Sequence, residues 1–286
     1  YDPKDHREGL PMSETLLPAR LQPAGYTTGW IGKWHLGATP EFAPHRRGFA
    51  ETYGFIGGGH RYREWKQDAA VEYQVPIERN GQPVAAPEHL TPDFGREAAA
   101  FIKRHARDPW FLYLAFNAPH TPHEPTPERL ARFAAIKDPV RQKYAAQISL
   151  MDDAIGETLR ALHETGQERR TLVFFFSDNG GPMTKRNANA SVNTPLRGQK
   201  GDIYEGGVRV PFVVASLDPR RLVVDLPRVG REQSDAAVEV DFRAQPLRFG
   251  SAFAAHLLDS QRPYDVPQPV PAGDAVDDVL SDRTWI

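Results

Sequence analysis

Along residues 10–215 the hydrophobic positions fall into two kinds of run, and each kind predicts its own element. Nearly unbroken apolar stretches recur at 110–116 (WFLYLAF) and 171–177 (TLVFFFS), with an aromatic and β-branched stretch at 26–31 (YTTGWI) before them and a further apolar one at 208–215 (VRVPFVVA) after them. A strand wetted on one side alternates apolar and polar residues. These do not, which predicts strands covered on both faces in a mainly parallel sheet. Between them the period becomes helical. Residues 93–107 place Phe94, Ala98, Phe101, Ile102 and His105 on one face, and residues 140–166 do the same with Val140, Tyr144, Ile148, Met151, Ile155, Leu159 and Leu162. Gly166 is positioned to end the second helix. A shorter helix is expected over 13–24, with Ser13 as cap candidate and Pro18 and Pro23 limiting its length. Strand and helix therefore alternate, which predicts an α/β fold with helices flanking the sheet.

The polar residues concentrate where the strands end, and the carboxyl edge is where open α/β sheets keep their sites. The first strand runs into GKWHLG (32–37), whose Lys33 and His35 share a face if the backbone stays extended. The second leads to NAPHTPHEP (117–125), a loop stiffened by prolines that presents His120 and His123. The third delivers Asp178, Asn179, Gly180 and Gly181, oxygen donors suited to a hard divalent cation beside glycines that let the backbone turn closely. A glycine-rich loop, LRGQKGDIYEGGVR (196–209), then carries Arg197, Lys200, Glu205 and Arg209, and such cations suit an anionic group. Each motif alone has a plainer reading: a solvated lysine beside a packed histidine, or a common D-N-G-G turn. Asp152 and Asp153 diverge by about 100° on the long helix and read as a solvated face. Residues 38–91 form a long excursion with one hairpin signal at Asn80–Gly81, expected to sit at the rim of the site and choose its substrate.

Composition narrows the function classes. With 286 residues, 40% hydrophobic and 25% charged, the chain can bury a large core. Its net charge of -2 and pI near 6.6 give no overall attraction to nucleic acid, so anion recognition must be local to a pocket. The absence of cysteine excludes disulfides, thiolate metal sites and a cysteine nucleophile. No apolar run reaches the roughly 18 residues of a transmembrane segment. Residues 1–9 are charged and proline-bearing, unlike a signal peptide, and do not begin with Met, so an internal piece or processed form is expected and localisation stays open. Beyond Ser216 the hydrophobic period is lost. Residues 216–286 are therefore read as a weakly structured tail.

GYTTGWIGKWHLG (25–37) resembles the second signature of the sulfatase family, and NAPHTPHEP, FFFSDNGGP and LRGQKGDIYEGGVRVPF follow it in the family's order. The resemblance implies an alkaline-phosphatase-like fold, here incomplete, and metal-dependent hydrolysis of a small-molecule or glycan sulfate ester, with a calcium ion (Ca2+) and a formylglycine nucleophile. Residues 1–215 are thereby implied to be one partial catalytic domain, from which the tail at 216–286 diverges. The resemblance also implies Asp178 and Asn179 as metal ligands, and Lys33 and Lys200 on the sulfate oxygens. His35 would govern the hydrated aldehyde. His120 would hold or protonate the leaving group, and it is preferred to His123 because it directly follows an Ala-Pro pair. In the family a C-x-P-x-R or S-x-P-x-R segment and two further metal aspartates precede the stretch matched by 25–37. Here 24 residues precede Gly25, there is no cysteine, and Ser13 is followed by ETLLPAR. The nucleophile is thus expected to be missing, and the isolated chain inactive. Two other readings fit the same residues: a phosphate or phosphonate ester hydrolase of the same superfamily, and a non-catalytic protein that binds sulfated glycans through its cations.

Overall fold

The computed structural model describes residues 9–68, 73–183 and 190–216. The chain enters through a one-turn helix, α1 (Leu17–Leu21), whose N-cap is Leu16 rather than Ser13 and makes no side-chain capping bond. Pro18 occupies its first turn, where the missing N–H is tolerated. Strand β1 (Thr27–Lys33) follows and is buried over all five interior positions. After the excursion begins, β2 (Glu51–Phe55) returns beside it. The Asn80–Gly81 turn joins β3 (Glu78–Arg79) to β4 (Gln82–Pro83). Both turn residues have positive φ, 51° and 76°, as a type I′ hairpin requires.

The main sheet has the order β4-β3-β2-β1-β5, with β5 spanning Trp110–Ala115. Strand β1 pairs in parallel with β2 on one side and β5 on the other, while β3 and β4 run antiparallel at the far edge. The parallel centre closes tightly at its carboxyl end. Gly32 faces Gly54 across the ladder, both at positive φ, and a Cβ on Gly32 would lie 2.0 Å from the Ala115 carbonyl oxygen. Only glycine fits there.

Helix α2 (Leu90–Arg104) covers one face, starting slightly ahead of the expected residues because His89 caps it by accepting from the Thr91 N–H. Phe94, Ala98, Phe101 and Ile102 are buried as the helical period predicts. Helix α3 (Pro127–Ala131) is capped by Thr126. Helix α4 (Pro139–Glu164) is capped by Asp138, whose carboxylate accepts from the N–H groups of Val140 and Arg141. Helices α2 and α4 approach closely because Gly95 lies against Ala154, where a Cβ would come within 2.8 Å of that alanine's Cβ. Ile148, Met151 and Leu162 are core residues, but Val140, in the first turn, is exposed.

The next two strands depart from expectation. Strand β6 (Leu172–Phe176) does not join the parallel sheet; it pairs antiparallel with β7 (Phe212–Ser216) in a separate two-stranded ribbon. Val208, expected to begin the final strand, instead ends a short helix, α5 (Glu205–Val208), and β7 begins only at Phe212. Burial along β6 alternates. Val173 packs against the cluster of Ala99, Ile102, Ala161 and Leu162, whereas Leu172, Phe174 and Phe176 are exposed. A continuous apolar run says that both faces are greasy, not what covers them. The expected tail lies outside the described residues from 217 on.

Phe94 is fully buried and Phe174 is 54% exposed, so the two phenylalanines predict opposite outcomes. Phe94→Ala should cost about 3–5 kcal/mol through lost burial and a cavity. Phe174→Ala should cost less than about 1 kcal/mol. Urea midpoints of the two variants check this, and a large loss at Phe174 would mean that the ribbon's outer face is covered.

Candidate active site

The Gly32–Gly54 closure ends β1 at Lys33 and turns the chain out of the sheet. His35 then takes a left-handed conformation, φ 61°, with its N–H pointing at the Ile56 carbonyl 3.4 Å away. Histidine enters this region more readily than most residues. Lys33 and His35 are therefore neighbours through a turn of the backbone, not through the alternation of an extended strand. The His35 ring lies against Gly58, where a Cβ would come within 2.6 Å of Nε2.

At the end of β5 the chain turns so that the His120 N–H donates to the Asn117 carbonyl at 2.8 Å. His120 Nδ1 lies 2.7 Å from the Thr121 carbonyl oxygen, an acceptor, so Nδ1 carries the hydrogen and Nε2 is the unprotonated nitrogen of the neutral ring. Tyr62, fully buried, places its hydroxyl 2.8 Å from both the Asn117 and His120 carbonyls and so fixes the loop from below. Glu124 holds the other side of Tyr62 by accepting its N–H at 2.8 Å and pairing with Arg61. The sequence reading did not single out Tyr62 or Glu124. An aromatic and a carboxylate in mixed-polarity loops carry no periodic signal.

Asp178 and Asn179 follow β6 on an exposed turn, and Lys200 comes from the loop ahead of α5. Asn193 joins the two. Its side-chain N–H group donates to the Gly181 and Gly198 carbonyls at 2.8 and 3.1 Å, and its Oδ1 accepts from the Gly181 N–H at 3.1 Å. Gly180 adds a backbone bond to Gly207 at 2.9 Å. The other cations of this loop are engaged locally: Arg197 stacks on Tyr204 at 3.9 Å, and Arg209 pairs with Glu205.

Electrostatics brings these segments together. Lys33 lies within reach of Asp178 and Lys200, and both His35 and His120 lie within reach of Lys33, Lys200 and Asp178. Burial lowers the Lys33 ammonium below the usual lysine value; Asp178 opposes this and Lys200 adds to it. His35 is pushed down to about 4, first by desolvation and then by Lys33, Lys200 and His120, with Asp178 opposing. His120 is lowered for the same first reason. His123 belongs elsewhere. Its Nε2 meets the Pro119 carbonyl at 3.0 Å, its ring packs edge-on against Tyr144, and the titratable groups near it are His120 and Lys143.

Metal chemistry is less complete. Among the described residues no three His, Cys, Asp or Glu side chains come together as a cluster. Asp178 and Asn179 are oxygen donors of the right kind, yet the Asn179 amide nitrogen donates to the Gly180 carbonyl at 3.0 Å, and two donors fall short of the six to eight that calcium takes. Asp153 pairs with Arg129 on the far helix, and Asp152 is half-buried with its carboxyl raised by burial and by Asp153.

A family model described as Sulfatase matches residues 1–223. The chain belongs to the sulfatase family. Mouse N-acetylgalactosamine-6-sulfatase is 34% identical to this sulfatase chain over 227 residues, 74% of the chain and 42% of that protein. Mouse arylsulfatase J is 32% identical over 215 residues, 73% of the chain and 35% of that protein. The crystal structure of Ps i-CgsB superposes with a TM-score of 0.68 at 37% identity, covering 74% of this chain and 49% of that one. The same protein is also known in complex with k-i-k-neocarrahexaose. The chain thus spans about two fifths of the curated relatives named here, and its mainly parallel, helix-flanked sheet is the alkaline-phosphatase-like fold of the sulfatases it resembles. Sulfatases in general use a metal and a formylglycine.

The electrostatic arrangement predicts a titration. His35 should change protonation near pH 4 by NMR, and Lys200→Met should raise that midpoint by removing a nearby cation. Because the ring is harder to protonate folded than unfolded, the unfolded chain binds more protons between about pH 4 and 6.5, so stability from this group is lost as pH falls through that window. A midpoint near 6.5, unmoved by Lys200→Met, would separate His35 from the cation pair.

Proposed function

We propose that this chain is the central part of a sulfatase catalytic domain and that Lys33, Lys200, His35, His120, Asp178 and Asn179 form its share of the active site. The observation that carries the reading is the convergence of two lysines and two depressed histidines from three separate segments on one carboxylate. Two fixed cations suit the oxygens of a sulfate group and stabilise charge that develops as the ester bond breaks. His120, with Nδ1 held by Thr121, offers Nε2 to the leaving oxygen. In the free site its ring is neutral at pH 7 because burial and the lysines disfavour charge. A bound sulfate ester brings a negative charge that offsets Lys33 and Lys200, which shifts His120 toward the protonated form that can act as an acid.

Formylglycine supplies the nucleophile in sulfatases. This chain has no cysteine and no serine followed by the required x-P-x-R, so its own residues can bind, orient and move protons but do not provide that group. In the same reading Asp178 and Asn179 contribute two of the ligands of a calcium ion, with the remainder supplied from outside the described residues. The substrate is a sulfate ester of a sugar, a class supported by the name of N-acetylgalactosamine-6-sulfatase and by the carrageenan oligosaccharide complex of Ps i-CgsB.

Two outcomes test the proposal. The chain alone should turn over a chromogenic aryl sulfate no faster than its Lys33→Ala, Lys200→Ala double variant, while the unaltered chain binds inorganic sulfate at least about tenfold more tightly than that variant, the order expected from losing charged contacts. Sulfate binding that ignores both lysines would remove the reading. Calcium should bind weakly, with a dissociation constant of about 10⁻⁴ M or higher, since one carboxylate and one amide make only part of a site. Calorimetry giving micromolar or tighter binding would show a more complete ligand set in this chain.

A further inference from the structure

We propose that Tyr73 is the specificity-determining residue beside His120, forming the wall on which the sugar ring of the sulfate ester stacks. The inference rests on the sulfatase reading and extends it to a residue in the long excursion between β2 and β3. The Tyr73 ring lies with its centroid 6.3 Å from that of His120, inclined by 36°. His120 is the group placed to meet the leaving oxygen, so whatever alcohol carries that oxygen must extend past it. Tyr73 is the aromatic side chain at that point.

The backbone holds Tyr73 there against its own preference. Its φ is 68°, a left-handed conformation that a bulky aromatic residue adopts only when its surroundings impose it. Two backbone features impose it. His60 and Tyr73 form a β-bridge, and the Arg61 N–H donates to the Tyr73 carbonyl at 3.0 Å. The glycine run 57–59 then makes room on both sides: a Cβ on Gly59 would lie 2.4 Å from Tyr73 Cε1, just as one on Gly58 would lie 2.6 Å from His35 Nε2. Adjacent glycines therefore seat one ring of the catalytic cluster and one ring that has no part in the chemistry.

A half-buried tyrosine offers a rigid apolar face and a polar tip at little entropic cost, which matches the C–H face and hydroxyl rim of a pyranose. The lysines read the sulfate, which any ester shares. Tyr73 reads what the sulfate is attached to.

The test is binding to the full 286-residue chain, measured by calorimetry with galactose 6-sulfate and with inorganic sulfate. Tyr73→Ala should weaken galactose 6-sulfate by about tenfold and leave inorganic sulfate unchanged, the scale expected of one aromatic contact. Tyr73→Phe should retain most of the sugar affinity. Tyr73→Asn removes the ring but accepts positive φ, so it should repeat the alanine result with the loop backbone preserved. Equal losses for sugar and free sulfate in both ring-less variants, or no loss in either, would overturn the role of Tyr73. If the unaltered chain binds neither probe, or binds them independently of Lys33, the sulfatase reading itself falls and this inference with it. If sulfate is held through Lys33 while sugar affinity survives Tyr73→Asn, only the assignment of Tyr73 falls.

Discussion

The closure of β1 between β2 and β5 on glycine is the constraint from which the site follows. At the carboxyl end of the three parallel strands, Gly32 and Gly54 lie side by side at positive φ, and a Cβ on Gly54 would sit 1.9 Å from the Gly32 carbonyl oxygen. A side chain at either position would force the strands apart. With glycine there the ladder stays paired through Lys33 to Phe55, and the chain must then leave the sheet sharply. Lys33 is thereby fixed at the rim of a rigid element, half-buried, where loss of solvent raises the worth of its charge. His35 and the Gly58 against which it rests follow within a few residues.

Asp178 and Lys200 have no such anchor in the main sheet, because β6 and β7 form a ribbon of their own. Their placement depends on two other contacts. Val173 packs into the cluster between α2 and α4, which ties the ribbon to α2, the helix that also packs on β1. Asn193 then bridges the Asp178 turn to the Lys200 loop through three hydrogen bonds from one side chain. Losing that amide would leave the two glycine-rich segments joined by bonds such as the Gly180 N–H to the Gly207 carbonyl and the Met183 N–H to Gln199 Oε1. The carboxylate and the second lysine are thus held as a pair, and the pair is held to Lys33 through the helices.

Much of this was legible from hydrophobic spacing. Phe94, Ala98, Phe101 and Ile102 declared the inner face of α2 because a period near 3.6 maps directly onto one buried stripe. The Asn80–Gly81 turn declared itself because few residues other than asparagine and glycine take the required φ values. The expectation that residues far apart in sequence share a pocket rested on parallel strands ending alike, and β6, which leads to Asp178, lies outside the parallel sheet. What failed was the identity of neighbours. The run LVFFF reads the same whether it lies inside a parallel sheet or in a two-stranded ribbon with Phe174 and Phe176 exposed. Tyr62, Glu124, Asn193 and Tyr73 were illegible for a different reason: each acts through a tertiary contact from an aperiodic loop, and spacing carries no information about such contacts.

The charges of the free cluster explain why it suits an anion. Lys33, His35 and His120 lie within electrostatic reach of Asp178 and Lys200, and both imidazoles are harder to protonate, first through loss of solvent and then through the two lysines, His35 down to about 4. Neutral histidines limit the repulsion while leaving the two ammonium groups to attract a ligand. An arriving anion reverses the balance, since each imidazole then faces less net positive charge. On His120 the added proton must go to Nε2, because its Nδ1 hydrogen is already committed to Thr121. In the proposed reading, binding of the anion and readiness of His120 to donate a proton form one linked equilibrium, set by the two lysines and the carbonyl of Thr121.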